Sequence, residues 1–218
     1  METYYKNLEG ITALFIGDSL FGGHGIGKDA TWINQLCRKY NMRFENHGSN
    51  GCTMSACEGG ANPIINRYTD MPLWDADLVV FEGGRNDYNK NASLGTVECG
   101  DITTYRGALS SLISGLRDRY PRAILAAVSF WRVGERPNDI GLPCGEYTAA
   151  MADVCREMGV DFIEACNEEA SGVRMTDPSF RAEYCWVPGD VCHLNVQGME
   201  LALPFFEKEL ARIMSAKK

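Results

Sequence analysis

The chain has 218 residues, of which 45% are hydrophobic and 23% are charged, as is typical of a globular protein. A chain of this length buries about 70% of the surface that it exposes when unfolded, so it can build a core without disulfides or a structural metal. Acidic residues outnumber basic ones by 29 to 21, giving a net charge of -8, and no basic run forms a phosphate-binding stripe, which argues against a nucleic-acid partner.

The first residues and the cysteines both indicate a cytoplasmic protein. The longest apolar stretch near the start, residues 11–16, is too short to span a bilayer, and residues 1–10 lack the features of a signal peptide. The nine cysteines form no Cys-x-x-Cys pair and are typical of small buried side chains in a reducing compartment. Only Cys185, Cys192 and His193 are closely spaced, too few ligands for a structural zinc site. We therefore expect no metal, no organic cofactor and no membrane partner.

Short apolar runs alternate with longer amphipathic segments along the chain, which predicts an α/β fold. The apolar runs predict strands over residues 11–17, 42–46, 78–83, 123–130 and 160–165. Their composition is that of strands buried on both faces, as in a parallel sheet. The amphipathic segments predict helices over residues 31–40, 64–68, 104–120, 146–158 and 196–216.

Irregular stretches follow the predicted strands. They cover residues 48–62, 85–101, 131–143 and 167–192. Pro121 and Gly159 mark the ends of the third and fourth helices. Ligands of open α/β sheets bind beyond the carboxyl ends of the strands, where these loops lie. No repeat, linker or low-complexity segment interrupts the pattern, so we expect one domain over residues 1–218.

A candidate nucleophile follows the first strand. Ser19 stands in the sequence Gly-Asp-Ser-Leu, where a serine beside glycines at a strand end would be exposed. Asp18 and Ser19 are also the residue types that cap helices and form turns, so this position alone is ambiguous. A serine hydroxyl is a weak nucleophile and needs a base within hydrogen-bonding distance, usually a histidine oriented by a carboxylate.

Three histidines are available as the base. Only His193 has a carboxylate at a short loop spacing, since Asp190 precedes it by three residues, whereas His24 and His47 do not. The same Asp-x-x-His pattern would also arise if Asp190 capped the helix that follows.

Acyl transfer further requires hydrogen-bond donors for the developing oxyanion. Gly51 follows the second strand, where a glycine lets its backbone N–H approach a ligand closely. Asn86 follows the third strand, where its side-chain amide can donate. The alternatives are a positive-φ turn at Gly51 and an Asx turn at Asn86.

Taken together in chain order, these four segments resemble the sequence blocks of the SGNH, or GDSL, family of serine hydrolases. The resemblance implies that Ser19 is the nucleophile and the first oxyanion donor, and that Gly51 and Asn86 supply the second and third. It likewise implies that Asp190 orients His193, the general base. The implied fold is a flavodoxin-like three-layer α/β/α sandwich with a five-stranded parallel sheet, without the Gly-x-Ser-x-Gly elbow of α/β-hydrolases.

The resemblance implies a serine esterase that acts on a small-molecule ester through an acyl-enzyme on Ser19. No long apolar insertion follows any strand, and the loops that would form the rim carry Arg85, Arg132, Glu135, Arg136, Tyr184 and Trp186. We therefore expect short-chain esters, with acetylated carbohydrates as the candidate class. An arginine at position 85, between Gly84 and Asn86, is larger than we expect there and bears on substrate preference.

Two alternatives remain. An acyltransferase would use the same residues. A mononucleotide-binding flavodoxin-like protein is suggested by residues 22–28, which match the Gly-x4-Gly-Lys part of a P-loop. Against this second alternative, Asp29 stands where the P-loop requires a magnesium-binding serine or threonine.

Overall fold

Five parallel strands form the sheet at the centre of the computed structural model, which describes residues 5–97 and 100–216. The strands are β1 (Thr12–Gly17), β2 (Arg43–Gly48), β3 (Leu78–Glu82), β4 (Ile124–Val128) and β5 (Asp161–Ile163). Their order in the sheet is β2-β1-β3-β4-β5, and every neighbouring pair is parallel. This is the strand order of flavodoxin-like, doubly wound sheets. The predicted α/β fold and its five-stranded parallel sheet are confirmed.

The two edge strands differ from the prediction that all strands are buried on both faces. Every residue of β3 is buried, but in β2 only Gly48 is. The charged and polar side chains of β2, which include Arg43 and Glu45, remain partly accessible because an edge strand has a neighbour on one side only. β5 has one buried residue, Ile163. The prediction of full burial is therefore wrong for β2 and β5.

Helices cover both faces of the sheet. The α-helices of the described residues are α1 (Ser19–Gly22), α2 (Trp32–Lys39), α3 (Ile64–Arg67), α4 (Arg85–Asn89), α5 (Tyr105–Arg119), α6 (Cys144–Met158), α7 (Glu168–Ser171), α8 (Pro178–Tyr184) and α9 (Val196–Ser215). Of these, α2, α3, α5, α6 and α9 correspond to the predicted helices. The stretches predicted as irregular contain α4, α7 and α8, and α1 follows β1 almost directly. These four helices have only four to seven residues, too few to show a helical period in the sequence.

The longer helices pack in two pairs, α2 with α9 and α5 with α6. In the first pair the rings of Trp32 and Phe206 stack with centroids 3.8 Å apart. In the second pair the predicted end signals are confirmed. α5 ends at Arg119, shortly before Pro121, and α6 ends at Met158, capped by Gly159, whose φ of 62° favours glycine.

Six of the eight cysteines that the structure describes are buried, namely Cys37, Cys52, Cys144, Cys155, Cys185 and Cys192. Cys57 and Cys166 are partly exposed, and Cys99 lies outside the described residues. Within residues 5–97 and 100–216, no three His, Cys, Asp or Glu side chains are grouped so as to bind a metal ion. No helix in that part of the chain is long and apolar enough to cross a membrane.

Candidate active site

The candidate residues meet at the carboxyl ends of the central strands. In the register of the sheet, Gly17 at the end of β1 pairs with Gly48 at the end of β2, and Ile16 pairs with Phe81 of β3. The segments that carry Ser19, Gly51 and Asn86 therefore leave the sheet at the same edge. The loop before α9 brings His193 to this edge from the far end of the chain.

Ser19, His193 and Asp190 form a continuous chain of hydrogen bonds. The Oγ atom of Ser19 lies 2.9 Å from Nε2 of His193, and Nδ1 of His193 lies 2.9 Å from Oδ2 of Asp190. The Ser19 residue is 8% exposed, and the His193 side chain is 23% exposed. The arrangement has the order hydroxyl, imidazole, carboxylate that base-assisted nucleophilic attack requires.

The local structure explains why the Ser19 hydroxyl is available. Asp18 caps α1, because its Oδ1 atom accepts a hydrogen bond of 2.9 Å from the backbone N–H of Leu20. Of the two residues that the sequence suggested as helix caps, Asp18 and Ser19, only Asp18 caps α1. The cap suggested for α9 is wrong, because Asn195 rather than Asp190 caps this helix by accepting a hydrogen bond from the N–H of Gly198.

Asp190 is held in its ionised form by the loop around it. The Oδ1 atom accepts hydrogen bonds from the backbone N–H groups of Cys192 at 2.7 Å and of His193 at 2.8 Å. Burial acts to raise the pKa of Asp190, but these two hydrogen bonds and the one from the His193 ring outweigh it and lower the pKa below its ordinary value. A carboxylate that stays charged accepts a hydrogen bond from Nδ1 of His193 and fixes the orientation of its ring.

The turn after β2 lies directly against the start of α1. Ser49 donates its backbone N–H to the carbonyl of Gly17 at 3.0 Å, and Nδ2 of Asn46 donates to the carbonyl of Phe21 at 2.9 Å. Gly51, with a φ of 76°, forms the tip of this turn, so the turn interpretation is correct for it. The backbone N–H groups of Ser19 and Gly51 have no hydrogen-bond partner among the residues described here, and so both remain available as donors.

The side chain of Asn86 is not part of an Asx turn. Its Nδ2 atom donates one hydrogen bond of 3.0 Å to Oδ2 of Asp18 and another of 2.9 Å to the carbonyl of Cys52. An amide nitrogen has two hydrogens, and both are engaged. Asn86 thus ties the Asp18 segment to the turn after β2, and a ligand that takes a hydrogen bond from Nδ2 must share or replace one of these acceptors.

Asp87 is a structural residue of the site that the sequence analysis did not assign. It is fully buried and accepts hydrogen bonds from the N–H of Met54 at 2.7 Å and from the N–H and Oγ of Ser55 at 2.9 and 2.6 Å. Burial raises its pKa to about 6, against the lowering effect of these hydrogen bonds. Its position directly after Asn86 is the sequence signal that could have identified Asp87. Its partners could not be predicted, because they lie more than 30 residues away in the chain.

The other two histidines have different surroundings. His47 on β2 lies 2.8 Å from Glu45, because residues two apart on a strand share a face. The sequence analysis compared histidines and carboxylates at loop spacings only, so it did not find this partner. His24 packs on His193, with ring centroids 4.3 Å apart, and on Trp186 at 5.0 Å. A side chain at position 25 would clash with Trp186, so Gly25 allows this close packing.

A cavity of about 640 Å³ lies at the same edge of the sheet, beyond β4 and β5. Its lining combines apolar side chains with acidic ones, among them Phe130, Val133, Phe162, Glu135, Glu164 and Glu168. Arg85, which precedes Asn86, reaches toward this cavity, since its Nη1 atom is 4.0 Å from Sγ of Cys144, which lines the cavity. The Nε atom of Arg85 is buried and has no hydrogen-bond partner among the described residues.

The glycine-rich segment, residues 22–28, does not have the arrangement of a P-loop. The N–H of Gly27 closes a turn onto the carbonyl of Gly23, and Nζ of Lys28 donates to the carbonyl of Asn46 at 2.8 Å. The next α-helix, α2, begins at Trp32 and not at the lysine.

A family model described as the GDSL-like lipase/acylhydrolase family matches residues 15–201. No curated protein sequence matches the chain.

Solved structures share the fold. A crystal structure of a protein from Lactobacillus plantarum is 24% identical, with a TM-score of 0.79 over 95% of this chain and 98% of the other. A member of the lipolytic protein G-D-S-L family from Veillonella parvula is 12% identical, with a TM-score of 0.61 over 89% and 94% of the two chains. A carbohydrate esterase family 2 enzyme with a carbohydrate-binding domain, from Corynascus thermopiles, is 15% identical, with a TM-score of 0.62 over 95% of this chain and 66% of the other.

Proposed function

The chain belongs to the GDSL-like lipase/acylhydrolase family, and from that premise we propose that it is a serine esterase that hydrolyses short-chain carboxylic esters. The observation that carries this proposal is the alignment of Ser19, His193 and Asp190, with 2.9 Å between Oγ and Nε2 and 2.9 Å between Nδ1 and the carboxylate.

The reaction follows from the chemistry of these groups. Nε2 of His193 takes the hydroxyl proton as Oγ of Ser19 attacks the ester carbonyl, and Asp190 stabilises the imidazolium that forms. The imidazolium then gives its proton to the leaving alcohol as the C–O bond breaks, which leaves an acyl-enzyme. A water molecule, deprotonated by His193, attacks the acyl group, and the carboxylic acid leaves as Ser19 regains its proton. General base action of this kind contributes about 10²- to 10⁴-fold in rate.

The developing oxyanion needs hydrogen-bond donors close to the position that it will occupy. The N–H groups of Ser19 and Gly51 have no partner within the described part of the chain, and the segments that carry them are joined by the backbone hydrogen bond from Ser49 to Gly17. Asn86 is the third donor in this proposal, and it shifts a hydrogen bond from the carbonyl of Cys52 or from Asp18 to the oxyanion. Each such donor is worth about 10²- to 10³-fold in turnover.

The surroundings of the site favour a polar alcohol over a long acyl chain. Trp186, 43% exposed, offers an aromatic face next to His24 and His193. The neighbouring cavity is lined by four glutamates and Arg132 as well as by apolar side chains, and these charged groups can hydrogen-bond the hydroxyl groups of a polar alcohol. Acetylated carbohydrates are therefore the proposed substrate class, and the likeness to a carbohydrate esterase fold is consistent with it.

Covalent labelling tests the proposal. A fluorophosphonate probe should modify Ser19, and the Ser19→Ala variant should lose both labelling and hydrolysis of an aryl acetate while it unfolds at the same temperature as the original protein. Ser49→Ala and Ser129→Ala are matched controls and should be labelled normally. Labelling that persists in Ser19→Ala and disappears in either control would refute the assignment.

A further inference from the structure

Glu82, the last residue of β3, is a buried carboxyl group that the reaction above does not use. It is 1% exposed and lies beneath the segment that carries the nucleophile, where its Oε2 atom accepts a hydrogen bond of 3.1 Å from the N–H of Asp18. This approach depends on Gly17, since a Cβ atom there would lie 2.9 Å from Oε2. The Oε1 atom of Glu82 is buried and accepts no hydrogen bond from the described residues. An ionised carboxylate in such a place would be poorly compensated.

Asp18 has a much richer set of donors. It accepts hydrogen bonds from the N–H of Leu20 at 2.9 Å and from Nδ2 of Asn86 at 3.0 Å, and Oγ of Ser19 lies 3.5 Å away. The carboxyl groups of Asp18 and Glu82 are also close neighbours in a buried place and interact electrostatically. Two buried carboxyl groups in such proximity are most stable when one of them holds a proton. Burial raises the pKa of both carboxyl groups, but hydrogen-bond donors counter this effect at Asp18, whereas no donor among the described residues reaches Oε1 of Glu82. The proton therefore belongs to Glu82.

We propose that Glu82 is a positioning residue: in its neutral form it donates a hydrogen bond to Asp18 and so fixes the carboxylate that contacts both Ser19 and Asn86. One acid pair thereby sets the positions of the nucleophile and of the side-chain oxyanion donor. The kinetic consequences of this inference rest on the proposed esterase function, whereas the protonation state of Glu82 does not.

The electrostatic surroundings support a neutral Glu82. Burial, together with the charge of Asp18, raises the pKa of Glu82 well above its ordinary value. The titratable groups that interact with Glu82 or Asp18 are Asp87 on α4, Tyr105 on α5, Cys52 after β2, and Cys192 and His193 before α9. Only His193 among them can carry a positive charge, and it is already paired with Asp190.

The direction of the pH effect follows from this arrangement. At lower pH Glu82 is neutral and the hydrogen bond to Asp18 is present. As the pH rises through the raised pKa of Glu82, the proton is lost, two negative charges face each other in a buried place, and the contacts of Asp18 with Ser19 and Asn86 are disturbed. Turnover should then fall on the alkaline side.

Two substitutions separate the role of the proton from that of the side-chain volume. Glu82→Gln keeps a neutral donor that does not titrate, whereas Glu82→Met has a similar size but no hydrogen bond. Glu207→Gln is the matched control, because Glu207 is also a buried glutamate but binds Lys39 and Tyr40 between α9 and α2, away from the site.

We expect Glu82→Met to lower kcat for an aryl acetate by about tenfold or more with little change in KM, and Glu82→Gln to recover most of that loss. The Glu82→Gln profile of kcat against pH should lack the alkaline decline, while Glu207→Gln keeps the profile of the original protein. Superimposable pH profiles for Glu82→Gln and the original protein, or unchanged kcat in Glu82→Met, would overturn the proposal.

Infrared spectroscopy tests the acid pair without any turnover. The original protein at neutral pH should show the carbonyl band of a buried protonated carboxyl group, and Glu82→Gln should lack it, whereas Glu207→Gln should retain it. If the band is present but no ester is hydrolysed, the proposed function is wrong and the acid pair stands. If the band is absent or remains in Glu82→Gln, the assignment of the proton to Glu82 is refuted.

Discussion

The Nδ2 atom of Asn86 donates a hydrogen bond of 3.0 Å to Oδ2 of Asp18, which directly precedes the proposed nucleophile. Two residues that lie 68 positions apart in sequence are thus held together at the ends of β1 and β3. The contact means that the proposed oxyanion donor and the proposed nucleophile are positioned by the same carboxylate, so a change at either residue should affect the other.

Replacement of Asn86 tests whether it acts in the transition state. Asn86→Ala should lower kcat by about 10²-fold or more with little change in KM, because an oxyanion donor binds the transition state more strongly than the substrate. Asn89→Ala, on the exposed side of the same helix, should change neither constant by more than about twofold. Kinetics with an aryl acetate, combined with thermal unfolding, provide the measurement. A lower unfolding temperature with near-normal turnover would show that Asn86 only links the two loops.

The histidines can be ranked by their contacts. His193→Ala should reduce turnover by about 10³-fold or more, because it removes the imidazole 2.9 Å from Oγ of Ser19, and the Asp18 carboxylate, 3.5 Å away, is a weaker base. His47→Ala should leave turnover nearly unchanged, since His47 is paired with Glu45 on the edge strand. His24→Ala should cost about tenfold or less, because His24 packs on the ring of His193 without touching the hydroxyl of Ser19. If His47→Ala is the inactive variant, the assignment of His193 as the base is wrong.

Asp87 should give the protein a distinctive dependence of stability on pH. Its pKa of about 6 lies above the ordinary value of 3.8, so the folded protein keeps a proton that the unfolded chain has already lost. The contribution of Asp87 to the free energy of unfolding therefore falls as the pH rises from about 4 to about 6 and is constant above that range. A shift of about two pKa units corresponds to about 3 kcal/mol.

Denaturant unfolding between pH 4 and 7 measures this effect. The stability advantage of the original protein over Asp87→Asn should be largest at pH 4 and shrink toward pH 7. Asp77→Asn is the control, because Asp77 also accepts a backbone hydrogen bond, from Thr12, but lies directly before β3, at the other end of that strand from Asp87. Parallel curves for Asp87→Asn and the original protein would contradict the raised pKa.

The sequence predicted the sheet and the long helices because their patterns are local. β1, β3 and α5 have the continuous apolar runs or the amphipathic period that their burial requires. The short helices and the exposure of β2 depend on which strand lies at the edge of the sheet, and local composition does not contain that information.

The candidate site was predictable in its members but not in its supporting contacts. Ser19, Asp190 and His193 could be identified because each stands in a recognisable segment. The hydrogen bonds of Asp87 to the 54–55 backbone, and the contact of His24 with His193, join distant parts of the chain and leave no trace in residue spacing. The acid pair of Asp18 and Glu82 was missed for the same reason, since a glutamate at the end of an apolar strand does not reveal which group it faces.

The size of the accepted acyl group provides the last prediction. Trp186 covers one side of the site by packing on His24 and over Gly25, and the neighbouring cavity mixes apolar side chains with the carboxylates of Glu135, Glu164 and Glu168. We therefore expect kcat/KM to be highest for acetyl or similarly short esters and to fall with acyl length, because a long acyl chain in this cavity would have to desolvate the carboxylates among its apolar walls.

Specificity constants for acyl chains of two to sixteen carbons, measured as both aryl and sugar esters, test this expectation. Trp186→Ala should raise KM for an acetylated sugar several-fold and leave ethyl acetate hydrolysis unchanged, since the small alcohol does not reach the indole. Trp74→Ala is the control, because Trp74 packs on Arg43 at the edge strand, away from the site. A maximum of kcat/KM at eight carbons or longer would overturn the argument, because it would require an apolar channel that binds the acyl chain along its length.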